Sequence, residues 1–252
     1  MTDFSSSVTV FVLTVGDEEN FTDCIAHLDR QTVRVRREII DHVAPLSDAL
    51  EEMNRRCRTP YYVQVDEDML LFPNAIASLY EHITSASPRV AMMSAPLWDC
   101  DIGRSIYGVK IYRHEIVRRF PYQETHSSEA NQVNRLRAAG YEVTDLPLED
   151  RNACLGEHGR HYTPRSIYLR WKRLFEKRRL DGGHRGRGIP GPDFFLDRLL
   201  RDPQPLHLFS FLGVVAGMTG ELPADCEIDY RAHCPDFDRL FEAFSRDHPP
   251  KQ

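Results

Sequence analysis

Apolar runs that suit β-strands alternate with amphipathic stretches that suit helices along the amino-terminal part of the chain. Residues 8–15 form a continuous β-branched run that ends at Gly16, which predicts a strand buried on both faces. An acidic segment with a helix up to about residue 30 follows. A short strand at 38–41, a helix at 46–56 and a strand at 61–65 come next. This order predicts an α/β sheet with helices on both faces.

The alternation continues to about residue 153. It predicts a helix from Pro73 to Ile83, strands at 90–94 and 106–112, a helix at 129–139 that Gly140 closes, and a strand at 141–144. We therefore assign the core domain to residues 1–165.

The carboxy-terminal part has a different composition. Residues 168–180 carry six basic side chains against one acid, Glu176, which predicts a basic helix. Such a run is typical of a solvated helix face, although it also suits a diphosphate, an anionic acceptor or an anionic membrane surface. A glycine- and arginine-rich stretch at 181–191 predicts a flexible loop, and apolar segments with a short terminal helix follow. We assign residues 166–252 to a helical extension packed on the core.

Composition narrows the classes of partner. The formal net charge of -6 gives no general attraction for nucleic acid, so we expect no nucleic-acid partner. The six cysteines include no C-x-x-C pair, which argues against structural zinc or a disulfide framework. No basic residue precedes the first apolar run, and no apolar stretch reaches the roughly 20 residues that span a bilayer. We expect a cytoplasmic protein, compatible with peripheral contact at the inner face of a membrane.

Two aspartates at the end of one predicted strand are the first candidate for chemistry. The run 61–65 stops at three acids, and Asp66 and Asp68 stand two positions apart. The period of two in a strand directs both to the same side, at the edge where α/β sheets bind ligands. Two neighbouring carboxylates repel each other unless a cation joins them, and a divalent ion with oxygen ligands does so. The alternative is that both aspartates cap the following turn.

The order strand, acidic loop, helix, strand ending in Asp41, helix, strand ending in Asp66-Glu67-Asp68 resembles the nucleotide-sugar-binding half of family 2 glycosyltransferases. The resemblance covers about residues 8–162 and implies the GT-A fold, an α/β structure with a mixed sheet flanked by helices. It implies a nucleotide-diphosphate sugar donor held by Thr14, Asp17, Asp41 and Asp66. It also implies Mn²⁺ or Mg²⁺ as cofactor, bound by Asp68 with Asp66.

The same resemblance implies a catalytic base and a further metal ligand. The family pattern of an acid, five residues, arginine, four residues and glycine matches Glu129, Arg135 and Gly140, which makes Glu129 the candidate base. The usual Glu-Asp pair is Ser128-Glu129 here, and Glu124 is a competitor. A glutamate in a first helical turn is also stabilised by the helix dipole without any chemistry.

A histidine after the last core strand often completes the family's metal site, and residues 156–161 offer two. His158 is preferred to His161, because nearby glycines allow close approach of backbone and metal.

These features predict a glycosyltransferase that moves a sugar to the hydroxyl of a carbohydrate, a lipid-linked compound or another acceptor, and the resemblance implies inversion at the anomeric carbon. Two alternatives stay open. A nucleotidyltransferase would share the sheet, the metal and the nucleotide, but its glycine- and lysine-rich signature is missing after the first strand, where acidic residues follow Gly16. A non-catalytic relative would bind a nucleotide sugar or a polyanion through the basic helix.

Overall fold

The computed structural model describes residues 2–147, 151–180, 188–220 and 234–247. Their contacts divide the chain into two compact units. Unit 1 comprises residues 2–147, 151–161 and 188–189, and unit 2 comprises residues 162–180, 190–220 and 234–247. The predicted flexible loop at 181–191 lies outside the described residues as far as position 187.

Unit 1 alternates strands and helices in the predicted order. Its helices are α1 (Glu18–Asp29), α2 (Leu46–Arg56), α3 (Ala75–Ser85), the short α4 (His114–Val117) and α5 (Ser128–Ala138). Its strands are β1 (Thr2–Asp3), β2 (Val8–Thr14), β3 (Val33–Arg34), β4 (Arg36–Asp41), β5 (Tyr61–Asp66), β6 (Met69–Leu71), β7 (Val90–Asp99), β8 (Arg104–Arg113), β9 (Glu142–Asp145) and β10 (Gly156–His158).

Eight of these strands form one mixed sheet in the order β4-β2-β5-β8-β7-β10-β6, with β9 also paired to β7. Strand β2 runs parallel to β4 and β5, whereas β8 runs antiparallel to both β5 and β7. Because β2, β4 and β5 are parallel, their carboxyl ends at Thr14, Asp41 and Asp66 lie on the same edge. Strands β1 and β3 form a separate two-stranded pair.

Apolar side chains from β2 enter two cores, one on each face of the sheet. Val10 and Val12 join a cluster with α1 and α3, while Phe11 and Leu13 join a cluster with α2 and α5. Every residue of β2 is buried, as the unbroken β-branched run predicts.

The short strands β6 and β10, which the sequence pattern does not predict, complete the sheet. Strand β10 has only three residues and pairs with β6 on one side and with β7 on the other. Gly156 lies so close to β6 that a β-carbon there would come within 2.6 Å of the Leu70 carbonyl oxygen. Strands β7 and β8 also extend further than expected, because their outer halves pair with each other as a long hairpin.

Unit 2 is helical, with α6 (Pro164–Leu180), α7 (Pro192–Arg201), α8 (Pro205–Thr219) and α9 (Pro235–Asp247). Helix α6 buries Trp171 and Phe175 against Phe195 of α7, with the Trp171 and Phe195 rings 4.5 Å apart. The aromatic residues of the basic run are therefore core residues. No helix among the described residues has the length and apolar character needed to cross a membrane.

Candidate functional site

Acidic side chains collect at the edge of the unit 1 sheet where β2, β4 and β5 end. The loops after these strands carry Asp17, Asp41 and the 66–68 segment. Strand β10 reaches the same part of the sheet from the other side through its pairing with β6, since His158 is opposite Met69. The topology thus brings together residues that are far apart in sequence.

The middle acid of the 66–68 segment, Glu67, organises the loop between β2 and α1. Its buried carboxylate accepts hydrogen bonds from the Thr14 hydroxyl, from the backbone N–H of Val15 at 3.2 Å and from that of Asp17 at 3.3 Å. Burial raises the pKa of Glu67, and these hydrogen bonds oppose that effect. Glu67 therefore holds the acidic loop in place and has few lone pairs left for a ligand.

The three side chains that the resemblance assigns to the donor nucleoside have structural partners as well. Thr14 donates to Glu67, and Asp17 caps α1 by accepting from the backbone N–H of Asn20 at 3.1 Å. Asp41 is exposed at the end of β4 and contacts the ring of His42. The structure places all three at the expected edge, each fixed by a local contact.

Asp66 is held in an unfavourable charge environment. Burial, together with the neighbouring carboxylates of Asp68 and Glu129, raises its pKa to about 6, although Lys110 and a 3.3 Å hydrogen bond from the Gln64 amide act in the opposite direction. A carboxylate in this situation gains from any cation that enters the site.

His158 lies between two aspartates. Its Nε2 is 3.4 Å from Oδ2 of Asp68, and its Nδ1 is 3.3 Å from Oδ2 of Asp99. Asp99 is completely buried, and its Oδ1 accepts from the backbone N–H groups of Asp101 at 3.1 Å and Ile102 at 3.0 Å. Residues 68, 99 and 158 thus form a continuous line of polar contacts.

The Asp68 and His158 pair fits a divalent ion that also binds a ligand. Adjacent ligands around an octahedral ion lie roughly 3 Å apart, close to the observed separation of Oδ2 and Nε2. Within the described part of the chain, no three His, Cys, Asp or Glu side chains are grouped so as to hold a metal on their own. Mg²⁺ and similar ions commonly bind through one or two protein groups plus substrate phosphates, so two ligands suffice for such a site.

Glu129 lies in the first turn of α5 and forms an ion pair with Lys110 of β8. Lys110 is paired in register with Gln64 of β5, and Gln64 lies two residues before Asp66 on that strand. This pairing places Lys110 near Asp66. The pair holds Glu129 beside the acidic edge. Its competitor Glu124 is exposed in the preceding loop.

The second candidate histidine has different neighbours. Nε2 of His161 lies 2.8 Å from Oδ2 of Asp23, and its Nδ1 lies 3.3 Å from Glu19, so His161 contacts the outer surface of α1. The structure brings His158 to Asp68 and gives His161 this separate set of partners.

Three residues in this region escape sequence reasoning: Glu67, Lys110 and Asp99. Glu67 is the unspecified middle position of the Asp-x-Asp pattern, and Lys110 is one lysine within an apolar strand. Asp99 is the last residue of β7, a strand that the sequence pattern predicts to end five residues earlier. A charged residue inside or just after an apolar strand is a usable signal, because burying a charge is costly without a partner.

The chain is similar in structure to a mannosyltransferase, PcManGT from Pyrobaculum calidifontis, solved with GDP-Man and Mn²⁺. The two are 13% identical, the match covers 99% of this chain and 84% of that one, and the TM-score is 0.51. Weaker likenesses include TarS of S. aureus, at 11% identity over 83% of this chain and 70% of that one with a TM-score of 0.45. Another is a CMP:2-keto-3-deoxy-manno-octonic acid synthetase complexed with CTP, at 12% identity over 60% of this chain and 95% of that one with a TM-score of 0.38.

No family model and no curated protein matches the sequence. The structural likeness confirms the predicted GT-A type fold, with a mixed sheet flanked by helices and a helical carboxy-terminal region.

Proposed function

We propose that this protein is a metal-dependent glycosyltransferase that moves a sugar from a nucleotide-diphosphate donor to an acceptor hydroxyl. The observation that carries the proposal is the 3.4 Å approach of Asp68 and His158 at the carboxyl edge of a GT-A sheet, next to the destabilised carboxylate of Asp66. This arrangement offers a cation site at the edge of the sheet where α/β folds generally bind their ligands. Inversion at the anomeric carbon is proposed from the resemblance to family 2 glycosyltransferases.

In this proposal each side chain of the edge has one task. Thr14, Asp17 and Asp41 position the nucleoside, and Asp66 serves the ribose or the metal. Asp68 and His158 would hold the Mn²⁺ or Mg²⁺, and the bound ion would supply Lewis-acid stabilisation of the negative charge on the departing diphosphate.

Glu129 takes the proton of the acceptor hydroxyl as that hydroxyl attacks the anomeric carbon. Its ion pair with Lys110 favours the ionised carboxylate, the form that a base requires. Lys110 also moderates the repulsion between Glu129 and Asp66. Release of Glu129 from the lysine as donor or acceptor binds would leave the carboxylate free to accept the proton.

Calorimetry with a panel of nucleotide sugars, with Mn²⁺ and with EDTA, tests the donor and the metal together. We expect binding that requires the metal for at least one nucleotide sugar, and turnover of that donor when acceptors are supplied. Binding of polyanions that is indifferent to metal would instead support a non-catalytic protein. Release of pyrophosphate from a nucleoside triphosphate would support a nucleotidyltransferase.

Two variants with matched controls test the residue roles. Glu129→Gln should lower transfer by about 10²-fold or more while donor affinity is kept, because one proton acceptor is removed. Glu124→Gln, in the exposed loop nearby, should leave transfer unchanged. Asp68→Asn should lose the metal-dependent part of donor affinity, and Asp48→Asn on the exposed start of α2 should not. Full transfer by Glu129→Gln would remove this residue from the mechanism.

A further inference from the structure

A cavity of about 400 Å³ lies in unit 1 between the end of α2 and the short helix α4. Small-molecule sites commonly have volumes of roughly 300–1,000 Å³, and this cavity is within that range. Its lining is mostly polar and basic: Asn54, Arg55, Cys57, Arg58, His114 and Arg118. No acid among the described residues lines the cavity. Such a lining suits an anionic ligand.

The cavity is at the edge of the sheet opposite the candidate metal site. Strand β5 begins at Tyr61, shortly after residues 54–58 of the cavity, and ends at Asp66. His114 directly follows Arg113, which is paired in register with Tyr61. A strand of six residues extends over roughly 16 Å. The cavity and the acidic edge are therefore separate places on the same sheet.

Two of the three arginines also stabilise the end of α2. The carboxyl end of a helix favours basic side chains, because its last carbonyl oxygens lack partners within the helix. Arg55 donates from Nε to Oε2 of Glu52 at 2.7 Å. Arg58 donates from Nη1 to the carbonyl oxygens of Arg55 at 2.7 Å and Cys57 at 2.9 Å. These contacts explain part of the positive charge without any ligand.

Arg118 is the arginine that helix capping does not explain. Its side chain is exposed and forms no hydrogen bond or ion pair with any residue that the structure describes. The neighbouring arginines at 113 and 119, by contrast, each donate to a tyrosine hydroxyl. Arg118 thus brings a guanidinium to the cavity with its five N–H donors available for a ligand.

His114 is held in the cavity wall by two backbone contacts. Its own N–H donates to the carbonyl oxygen of Pro60 at 2.9 Å, and its Nε2 lies 3.0 Å from the carbonyl oxygen of Asn54. Burial lowers the pKa of His114, and the guanidiniums of Arg118 and Arg58 lower it as well, while the contact with Asn54 acts in the opposite direction. Both guanidiniums are therefore near this ring, and an anion between them would relieve the repulsion.

We propose that this cavity binds a phosphate group, through the guanidiniums of Arg118 and Arg58 beside the ring of His114. The planar guanidinium matches the spacing of phosphate oxygens and can donate two parallel hydrogen bonds to them. The phosphate belongs to a small soluble molecule or to the headgroup of a lipid, since both present the same chemistry. This inference does not depend on the proposed function, because none of its residues belongs to the acidic edge.

Titration of the metal-free full chain with inorganic phosphate, in EDTA and at constant ionic strength, tests the site. The ring signals of His114 in ¹H–¹³C spectra report its occupancy, and they are the signals that His114→Gln removes. We expect these signals to shift and to reach a plateau as phosphate is added. Signals that do not move, or that move without saturation, would overturn the proposal.

Arg118→Gln is the informative variant because its side chain holds no described residue in place, so the fold should be unchanged. It should weaken phosphate binding by about 10-fold or more, since charge-assisted hydrogen bonds are lost. Arg137→Gln is the matched control: Arg137 is also exposed, lies on α5 and does not line the cavity. Equal losses in the two variants would show a general effect of charge and would refute a specific site.

Cosedimentation with vesicles distinguishes the two sources of phosphate. Phosphatidylcholine vesicles with and without phosphatidic acid are mixed with the wild type and with Arg118→Gln. Wild-type binding that requires phosphatidic acid and is lost in Arg118→Gln would assign a lipid headgroup to the cavity. Saturable shifts of His114 with phosphate and no cosedimentation would assign a soluble phosphorylated ligand. Cosedimentation that Arg118→Gln retains would exclude the headgroup as the ligand of this cavity.

Discussion

Asp66 provides a direct test of the charge balance at the candidate site, because its ionised form opposes folding. Burial and the carboxylates of Asp68 and Glu129 raise its pKa from 3.8 to about 6. Asp66→Asn removes the charge and keeps the oxygen that accepts from Gln64. We therefore expect the variant to be more stable than the wild type at pH 8 in the presence of EDTA.

The size of the effect follows from the shift. A pKa shift of about two units corresponds to a free-energy difference of at most about 3 kcal/mol, at about 1.4 kcal/mol per unit. Because Asp66 is only partly buried by surface area, water screens some of the repulsion, and about 1–2 kcal/mol is the expected gain. The folded pKa lies above the unfolded one, so the folded wild type keeps its proton to higher pH. This contribution to its stability is present below about pH 4 and is lost as the pH rises to about 6.

Urea unfolding of unit 1 measures the difference. The chain has two tryptophans, Trp98 in β7 of unit 1 and Trp171 in unit 2, so a Trp171→Phe background makes fluorescence report the sheet. The advantage of Asp66→Asn should be full at pH 8 and smaller at pH 5. A variant less stable than the wild type at pH 8, or an advantage that does not change with pH, would refute the assigned charge environment.

Glu52→Gln is the opposite control for this measurement. Hydrogen bonds from Arg55 and Arg56 lower the pKa of Glu52 to about 2, so its ionised form favours folding. Glu52→Gln should lower the free energy of unfolding, by less than about 1 kcal/mol, because the contacts of Glu52 with the two arginines lie on the surface of α2.

Three further predictions concern the framework of the site. Glu67→Gln leaves too few acceptor lone pairs for Thr14, Val15 and Asp17, so unit 1 should lose about 1–3 kcal/mol and hydrogen exchange at the Val15 and Asp17 amides should accelerate. Protection equal to the wild type would contradict this role. Gly156→Ala should destabilise unit 1 by about 1–3 kcal/mol in the same urea assay, because its β-carbon would come 2.6 Å from the Leu70 carbonyl oxygen. Stability equal to that of the wild type would argue against the close approach. Burial and nearby acids raise the pKa of Cys24 to about 12. Alkylation at pH 8 should therefore modify the exposed Cys100 well before Cys24, and mass spectrometry detects the order of labelling. Early labelling of Cys24 would show that β2 and α1 are less tightly packed.

The elements that the sequence predicted well are those with strong periodicity. The β-branched run at β2 and the amphipathic segment of α2 were placed within a residue, because burial on both faces or on one stripe leaves a clear pattern. Strands β2, β4 and β5 end at Thr14, Asp41 and Asp66. The position of these three residues at one edge of the sheet could therefore be predicted. The order of strands, helices and acidic residues resembled that of family 2 glycosyltransferases and so predicted the GT-A fold. The structure confirms that fold.

The parts that could not be predicted depend on contacts distant in sequence. Strand β10 reads Gly-Glu-His, which has no strand pattern, and it is extended only because β6 and β7 pair with it on both sides. The contact between Asp99 and His158 spans 59 residues. In the basic helix α6, Trp171 faces the interior of unit 2, and only tertiary packing could show which side of the helix is buried.

The position of β10 also determines when the candidate metal site forms during folding. A three-residue strand has too few hydrogen bonds to be stable alone, so it is ordered only after β6 and β7 are both in place. We therefore expect Asp68, Asp99 and His158 to meet late in folding, after the long loops between them have closed. A metal bound by this group would then not nucleate folding. Mn²⁺ should slow the unfolding of unit 1 and leave its refolding rate unchanged, so that metal binding reports a completed sheet.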